Sequence, residues 1–315
     1  MTDLAFATYG QHLLFTLAAP SRPGDAWVLD IGANRAAAWT GSEAGPVDAA
    51  QFIAPRLVRI PTFDRDGLRP RSIPAYVYEP ATPAGTRHPV LVELTAGLQD
   101  AYRPGFDPWT QYLVRELGYA VVVPELRGSR GSGRAWHAAG QGALREDALK
   151  DVGALLAWIR GQRALDAQRV SICGEGLGGT LALDALATYP DRFRGAMTLG
   201  AIGDLVGWLA DADAGVQAGY RTEFGDEREW QSRAALRRLS PLANIERISR
   251  PLFIAHGSND REVPIAQSEV LAAAARSHNI DVTYVALEGD GRDLHRTEGR
   301  EAFLRAFAQF LAALP

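Results

Sequence analysis

One stretch of this chain, residues 171–180, combines an apolar strand, a glycine-rich turn and the start of a helix without interruption. It reads Ser-Ile-Cys-Gly-Glu-Gly-Leu-Gly-Gly-Thr, and a segment rich in alanine and leucine follows it. Glycine permits the tight turns and close backbone approaches that such a junction needs. A strand, a turn and a helix in direct succession commonly carry a site, so this stretch is the first candidate for function.

The turn fits two sequence templates that differ at one residue. One template is the nucleophile elbow, G-x-S-x-G, and the other is the dinucleotide-binding fingerprint, G-x-G-x-x-G, represented here by Gly174, Gly176 and Gly179. The elbow requires a serine at position 176, where this chain has glycine. The rest of the sequence must therefore decide between a hydrolase without its serine and a nucleotide-binding protein.

The composition argues against several classes of function. The chain has 315 residues, of which 47% are apolar, and 33 Lys and Arg against 37 Asp and Glu give a net charge of −4 without a basic run. This balance argues against nucleic acid and against an anionic membrane as partners. Cys173 is the only cysteine, which excludes an internal disulfide and leaves no basis for a cysteine-ligated metal site. We expect no cofactor and no metal, and a peptide, a small molecule or a protein as the partner.

The apolar stretch near the N-terminus does not resemble a targeting signal. Residues 13–19 are apolar apart from Thr16, but the stretch is short and is preceded by Asp3 rather than by a basic region. No apolar run in the sequence is long enough to cross a bilayer. We expect a cytoplasmic protein.

The beginning of the chain predicts a β-hairpin. Residues 11–18 and 26–31 are strand-like, and a turn-rich segment separates them. An isolated hairpin is marginally stable in water, so it must pack on the rest of the protein or on another chain. We assign residues 1–50 to this hairpin unit.

The remainder of the chain, residues 51–315, predicts an α/β domain. From residue 90 onwards, short apolar strands alternate with helical segments, which indicates a doubly wound, mostly parallel sheet. The polar, tryptophan-containing stretch 204–240 does not follow this alternation. It predicts a small helical insertion over the carboxyl edge of the sheet.

Several motifs in this domain point to one family. They are Arg127-Gly-Ser-Arg-Gly-Ser-Gly133, Arg145-Glu-Asp147 with Asp151, and Ser240-Pro-Leu242 with the strand at 251–257. Together they resemble the catalytic domain of the prolyl oligopeptidase family of serine peptidases, and its acylaminoacyl-peptidase branch in particular. The resemblance implies an α/β-hydrolase fold. It also implies that the N-terminal hairpin is a remnant of the β-propeller that precedes the peptidase domain in that family, so we expect a more open cleft.

Carried over residue by residue, the resemblance implies a degenerate catalytic triad. Gly176 occupies the nucleophile position, Asp260 the position of the acid and Arg292 the position of the basic histidine. Glycine has no side chain that could attack a carbonyl carbon, and arginine stays protonated and accepts no proton. His295 replaces the base only if a shifted loop brings it to Asp260. The oxyanion loop is altered too, since it reads Thr95-Ala-Gly-Leu98 here.

These substitutions predict a ligand pocket without a working triad. We expect the pocket to be lined by Thr95, Ala96, Gly97, Arg127, Glu175, Leu177 and His295. We predict a catalytically inactive homologue that binds a peptide or a protein partner. Two alternatives stay open, an enzyme of isomerase, epimerase or cyclase type that uses acid and base chemistry on a peptide, and a residual hydrolase.

A dinucleotide-binding protein is the least favoured interpretation. A dinucleotide domain usually begins with the strand that carries the fingerprint, whereas two strand-helix units precede it here. Glu175 would also bring a negative charge next to a pyrophosphate. We predict that Gly174, Gly176 and Gly179 bind no nucleotide.

The predicted hairpin also suggests self-association. Its unpaired edges and its apolar side chains, among them Leu13, Phe15 and Trp27, invite a partner. We expect the hairpin either to pack on the α/β domain or to complete a homodimer, and we favour the homodimer because members of the family commonly self-associate through this region.

Overall fold

The computed structural model describes residues 2–43, 47–83, 85–95 and 101–314. Within these residues the chain forms strands and α-helices that are numbered here in chain order. The strands are β1 (Thr2–Phe6), β2 (His12–Ala19), β3 (Arg22–Asp30), β4 (Arg35–Ala38), β5 (Arg56–Asp66), β6 (Arg69–Tyr78), β7 (His88–Leu94), β8 (Ala120–Pro124), β9 (Leu165–Glu175), β10 (Ala196–Leu199), β11 (Leu252–Gly257) and β12 (Val282–Leu287). The helices are α1 (Pro108–Arg115), α2 (Arg134–Ala138), α3 (Asp147–Gly161), α4 (Leu177–Thr188), α5 (Leu205–Asp211), α6 (Ala214–Phe224), α7 (Trp230–Arg238), α8 (Ala266–Ser277) and α9 (Thr297–Ala313).

The larger of two sheets has the strand order β12-β11-β10-β9-β7-β8-β6-β5. The six strands from β12 to β8 are parallel, whereas β6 and β5 continue the sheet in antiparallel pairing. Central parallel strands are covered on both faces, which is why β8, with the sequence Ala-Val-Val-Val-Pro, is buried along its whole length. The predicted doubly wound, mostly parallel sheet is confirmed.

Helices cover both faces of this sheet and bury two separate apolar cores. On one face, α3, α4 and α8 contribute side chains such as Leu155, Leu183 and Leu271. On the other face, α1 and α9 contribute side chains such as Leu113 and Phe310. The carboxyl ends of the parallel strands therefore open between two helical layers, where ligands bind in open α/β sheets.

The helices α5, α6 and α7 follow β10 and form a small apolar core of their own. Trp208 and Phe224 are buried in this core together with Leu177 from the start of α4. The segment thus packs next to the junction of β9 and α4. These helices occupy the stretch for which the sequence predicts an insertion, while the domain boundaries stay a prediction.

The N-terminal region forms more strands than the predicted hairpin. Besides the pair β2 and β3, the strands β1 and β4 join at either side and complete a four-stranded antiparallel sheet. Phe15 and Trp27 are direct partners across β2 and β3, and Phe15 is buried. Sequence reasoning missed the outer strands because both are short and exposed. Self-association through this sheet stays a prediction.

In the part of the chain that the structure describes, no helix has the length and apolar character needed to cross a membrane.

Candidate active site

The junction of β9 and α4 has the backbone geometry of a sharp elbow. Gly176 forms its apex with φ 53° and ψ −122°, a combination that L side chains rarely adopt. The Gly176 N–H donates to the Leu199 carbonyl at 2.9 Å, and the Gly176 carbonyl accepts from the Thr180 N–H at 3.0 Å. The elbow thus has the strand-turn-helix context that the G-x-S-x-G template requires, with glycine at the apex.

The other glycines of the elbow are explained by close backbone approach. A Cβ atom on Gly174 would lie 2.4 Å from the Gly178 carbonyl carbon, and one on Gly178 would lie 2.4 Å from the Thr95 carbonyl oxygen. Gly179 faces the Gly174 carbonyl oxygen, which a Cβ would meet at 2.9 Å. These glycines let the first turn of α4 pack against the ends of β9 and β7. The match to the dinucleotide fingerprint therefore has a packing explanation.

Asp260 lies after β11 with its carboxylate almost fully buried. Its Oδ1 accepts the backbone N–H groups of Glu262 at 2.9 Å and Val263 at 3.0 Å. Burial raises the pKa of Asp260, but the hydrogen bonds from Arg292 and from these two N–H groups outweigh burial, so the pKa lies below its usual value. Asp260 is therefore a stable anion.

Arg292 neutralises Asp260 directly. Its Nε donates to Asp260 Oδ2 at 3.1 Å, and its Nη2 donates to Glu262 Oε2 at 2.9 Å. Burial lowers the pKa of Arg292, but its hydrogen bond and charge interaction with Asp260 raise it above the usual value overall. Gly200 leaves room for the pair, since a Cβ there would lie 3.1 Å from Asp260 Oδ2.

His295 does not reach Asp260. Its Nε2 lies 2.6 Å from Asp293 Oδ2, and the histidine side chain is 83% exposed. The loop from β12 to α9 therefore brings Arg292, rather than His295, to the buried carboxylate. The shifted-loop arrangement that would make His295 the base is not found.

Besides His295, two predicted pocket residues lie elsewhere. The Arg127 guanidinium is buried, binds Asp151 through Nε at 2.8 Å and Nη2 at 2.7 Å, and also contacts Asp64. Leu177 is buried in the core of α5 to α7, so only its backbone is at the elbow. The prediction that these two side chains line the pocket was wrong. The Arg127 side chain belongs to a buried ion network, and the Leu177 side chain packs in an apolar core. Ala96 and Gly97 lie outside the described residues.

A cavity of about 160 Å³ opens beside the elbow, on the face of the sheet that α1 and α9 cover. Glu175, at the end of β9, and Thr95, directly after β7, line it, as does Glu93 of β7. The register pairs Glu93 with Cys173 and Leu199 with Glu175. Because alternate residues of a strand face the same side, Glu93, Cys173 and Glu175 all face this cavity.

Aromatic side chains form the opposite wall of the cavity. Trp109 of α1 meets Phe307 of α9 edge to face, with ring centroids 5.2 Å apart, and Phe303 lies 5.6 Å from Phe307. All three residues line the cavity. The cavity is therefore an apolar space with two carboxyl groups.

The carboxyl groups of this cavity have raised pKa values. Burial, reinforced by the charges of Asp107 and Glu175, raises the pKa of Glu93 to about 7. Burial also raises the pKa of Glu175, and Arg292 partly offsets that effect. Raised carboxyl pKa values in a cleft are typical of groups that exchange protons near neutral pH.

Sequence reasoning identified Glu175 but missed Glu93 and the aromatic wall. The available signal was an acidic residue inside the otherwise apolar strand Val90-Leu-Val-Glu-Leu94. Its distance from Glu175 in sequence hid their common face, which follows from the pairing of β7 with β9. Among the described residues, no group of three or more His, Cys, Asp or Glu side chains is arranged to hold a metal ion.

Comparison with known proteins identifies the relatives of this chain. The sequence model of the prolyl oligopeptidase family matches residues 104–314. Dipeptidyl aminopeptidase BIII of Pseudoxanthomonas mexicana is 30% identical over 217 residues, which are 68% of this chain and 31% of that protein. The acylamino-acid-releasing enzyme of Homo sapiens is 23% identical over 213 residues, which are 66% of this chain and 29% of that enzyme. The chain thus spans about a third of the length of these relatives.

Solved structures show the same fold. A puromycin hydrolase structure matches with a TM-score of 0.86 and 23% identity, covering 100% of this chain and 48% of that one. The acylaminoacyl peptidase of Pyrococcus horikoshii matches with a TM-score of 0.85 and 19% identity, covering 98% of this chain and 49% of that one. The predicted α/β-hydrolase fold with antiparallel N-terminal strands is therefore confirmed.

These comparisons correct the prediction of function. The relatives carry the names of peptidases and hydrolases, and none of these comparisons shows inactivity. The prediction of a catalytically inactive homologue is therefore wrong, and the alternative of a hydrolase fits the comparisons better. Because the family model covers more than half of the chain and the predicted resemblance is confirmed, the chain belongs to the prolyl oligopeptidase family.

Proposed function

We propose that this protein hydrolyses an amide or ester bond of a short acyl or aminoacyl compound, with a water molecule that Glu175 activates. The observation that carries the proposal is the position of Glu175. It ends β9, immediately precedes the elbow apex Gly176, and lines the cavity that also contains Glu93. A carboxylate next to the apex supplies a proton acceptor where the chain has no serine hydroxyl.

The environment of Glu175 suits a general base. Burial raises the pKa of its carboxyl group, which increases its basicity while Arg292 favours the ionised form. A general base works best when its pKa approaches the operating pH. Cys173 also lines the cavity. Its thiol is unsuited to attack a carbonyl carbon, because burial raises the pKa of the thiol well above its usual value.

Two positively polarised groups support the developing oxyanion. The backbone N–H groups of the first turn of α4 have no partner within the helix, and no side chain caps them. Arg292 is held by Asp260 and Glu262 and carries a permanent positive charge close enough to influence Glu175. Fixed donors and charges of this kind stabilise a tetrahedral intermediate without reorganising.

The proposed reaction needs no covalent intermediate. Water attacks the carbonyl carbon while Glu175 takes one of its protons, and a tetrahedral oxyanion forms. The bond from carbon to the leaving nitrogen or oxygen then breaks, and Glu175 returns the proton to the leaving group. The products are a carboxylic acid and an amine or an alcohol.

The names of the relatives guide the choice of substrates. They include a dipeptidyl aminopeptidase, an acylamino-acid-releasing enzyme and a puromycin hydrolase. We therefore propose aminoacyl and N-acyl-aminoacyl amides as the substrate class.

The test measures hydrolysis of a panel of aminoacyl and N-acetyl-aminoacyl 4-nitroanilides. The wild-type protein should turn over at least one of them and should take up no fluorophosphonate, since it acts without a serine nucleophile. Glu175→Gln should lower kcat/KM about 100-fold or more, which is the usual contribution of a general base. Glu288→Gln, which changes an exposed glutamate after β12, is the matched control and should leave kcat/KM unchanged. Stoichiometric fluorophosphonate labelling, or full activity of Glu175→Gln, would overturn the mechanism.

A further inference from the structure

The cavity beside the elbow has a charged end inside an aromatic enclosure. Glu93 and Glu175 lie on neighbouring strands, and the register places Glu93 deeper than Glu175 by two residues. Their Cα atoms are therefore about 8 Å apart, with Glu175 at the carboxyl edge of the sheet and Glu93 further inside. Trp109, Phe303 and Phe307 face the space from α1 and α9.

The charge balance of this cavity favours a cation. Its described lining includes two carboxyl groups and no lysine, arginine or histidine. The nearby carboxylate of Asp107 caps α1, accepting from the Trp109 and Thr110 N–H groups at 3.1 and 2.9 Å. Aromatic faces also attract cations, most strongly when water is excluded.

The size of the cavity limits the ligand. A cavity of about 150 Å³ accommodates one benzene ring. The volume here, about 160 Å³, suits one small apolar group that carries a single charged head. A hydrated metal ion would leave the aromatic wall without a contact.

We propose that this cavity binds an organic ammonium ion with a compact apolar body, with the ammonium group at Glu93 and the body against Trp109 and Phe303. The inference rests on the proposed function, because in that reaction the cavity would hold a cationic side group of the substrate while Glu175 acts at its mouth. It adds a substrate class that carries a positive charge, and it assigns Glu93 to recognition rather than to proton transfer.

The pH dependence of binding follows from Glu93. The protonated carboxyl attracts an ammonium ion weakly, so affinity should rise as the pH increases through about 7, and binding should release a proton. The titratable groups that influence Glu93 or respond to its charge are Asp107, Glu175, Cys173, Tyr78 and Tyr102. Of these, Glu175 lines the same cavity, so its ionisation adds to the rise of ammonium affinity with pH. The helix α9 contributes only the phenylalanines to this lining.

The experiment measures binding of benzylamine to the whole protein by calorimetry at pH 8. Benzyl alcohol is the neutral control and benzoate the anionic control. A charge-assisted hydrogen bond contributes about 1.5–3 kcal/mol, so benzylamine should bind at least about tenfold more tightly than benzyl alcohol. Equal affinities of the two compounds would overturn the inference.

Variants assign the charge to one residue. Glu93→Gln should reduce benzylamine affinity about tenfold and leave benzyl alcohol affinity unchanged, whereas Glu116→Gln, an exposed glutamate after α1, should change neither. Unchanged benzylamine affinity in Glu93→Gln would contradict the assignment. If Glu93→Gln does not fold, the pH dependence of binding to the wild-type protein is the test. Equal benzylamine affinity at pH 5.5 and pH 8 would refute the assignment to Glu93.

The outcome is separable from that of the proposed function. Amine binding without any amide hydrolysis would refute the hydrolase and leave the ammonium site standing. Hydrolysis that benzylamine does not inhibit, in a protein that does not bind it, would refute the ammonium site alone.

Discussion

Arg292 donates from Nε to Asp260 Oδ2 at 3.1 Å, and the carboxylate that it contacts is only 3% exposed. The same guanidinium bonds Glu262, whose other carboxylate oxygen accepts from the Tyr220 hydroxyl. The pair therefore links the loop after β12 to the loop after β11 and to α6. In this chain Asp260 stabilises an arginine and is not available to orient a histidine.

Removing Arg292 should destabilise the protein. Arg292→Met leaves Asp260 buried with only its two backbone donors, and breaking a buried ion pair costs about 3 kcal/mol. Urea unfolding at pH 7 measures the loss. Arg228→Met removes an exposed partner of Asp226 and should leave the urea midpoint nearly unchanged.

The loss should depend on pH in a defined direction. The pKa of Asp260 is lowered in the folded state, so the contribution of the pair is complete above the unfolded pKa of about 3.9 and disappears as the pH falls through the lower folded value. The difference in the free energy of unfolding between wild type and Arg292→Met should thus be constant from pH 5 to 7 and shrink below about pH 4. A constant difference down to pH 3 would show that Asp260 does not depend on Arg292.

A serine-based site should be recoverable at the elbow. Gly176 already has the φ and ψ of the apex, and position 292 already brings its side chain to Asp260. Gly176→Ser alone should take up little fluorophosphonate, because the histidine near the acid, His256 with Nε2 3.8 Å from Asp260 Oδ2, is fully buried and bonded to Ser268 and Val263. Gly176→Ser with Arg292→His should be labelled. Nucleophile and base act as a unit, so the gain in labelling rate of the double variant should exceed the product of the gains of the two single variants. Rapid labelling of the single variant would mean that another base serves position 176.

Glu93 should destabilise the folded protein at alkaline pH. Its pKa rises from 4.5 to about 7 on folding, so the folded state binds the proton more tightly, and stability is lost as the pH increases through this range. Glu93→Gln removes this penalty. The excess of its free energy of unfolding over that of wild type should therefore be about 2 kcal/mol larger at pH 8 than at pH 5. Unfolding in urea at both pH values checks this, with Glu116→Gln as the exposed control.

Much of the fold was predictable from the sequence because periodicity reports burial directly. The strand β11 lies where the sequence places a strand, at 251–257, and strands and helices alternate from β7 onwards as the pattern predicts. The short outer strands β1 and β4 carry no such signal, since their residues are exposed and they owe their structure to pairing with β2 and β3.

The candidate site was only partly predictable. The elbow and Asp260 follow from local motifs, and the resemblance placed Arg292 next to Asp260. Glu93 could not be found, because its partner Glu175 is distant in sequence and only the order of the sheet makes the two strands neighbours. Arg127 was misplaced because a loop motif does not reveal that its guanidinium is buried against Asp151.

The glycines of the elbow permit a final test of whether they serve packing or nucleotide binding. Gly178→Ala places a methyl group 2.4 Å from the Thr95 carbonyl oxygen and 2.5 Å from the Leu94 carbonyl oxygen, so α4 must move away from the end of β7. Overpacking of this kind costs about 1–3 kcal/mol. Gly161→Ala is the matched control, because that glycine ends α3 with open space around it. Alanine there should be neutral or stabilising by up to about 1 kcal/mol.

Thermal unfolding with and without dinucleotides separates the two explanations. We expect Gly178→Ala to lower the Tm and the rate of amide hydrolysis together, since the shift displaces the first turn of α4 from Glu175. We also expect that NAD and FAD leave the Tm of the wild-type protein unchanged. A wild-type protein stabilised by either dinucleotide, with that stabilisation abolished in Gly179→Ala, would show instead that the fingerprint binds a nucleotide.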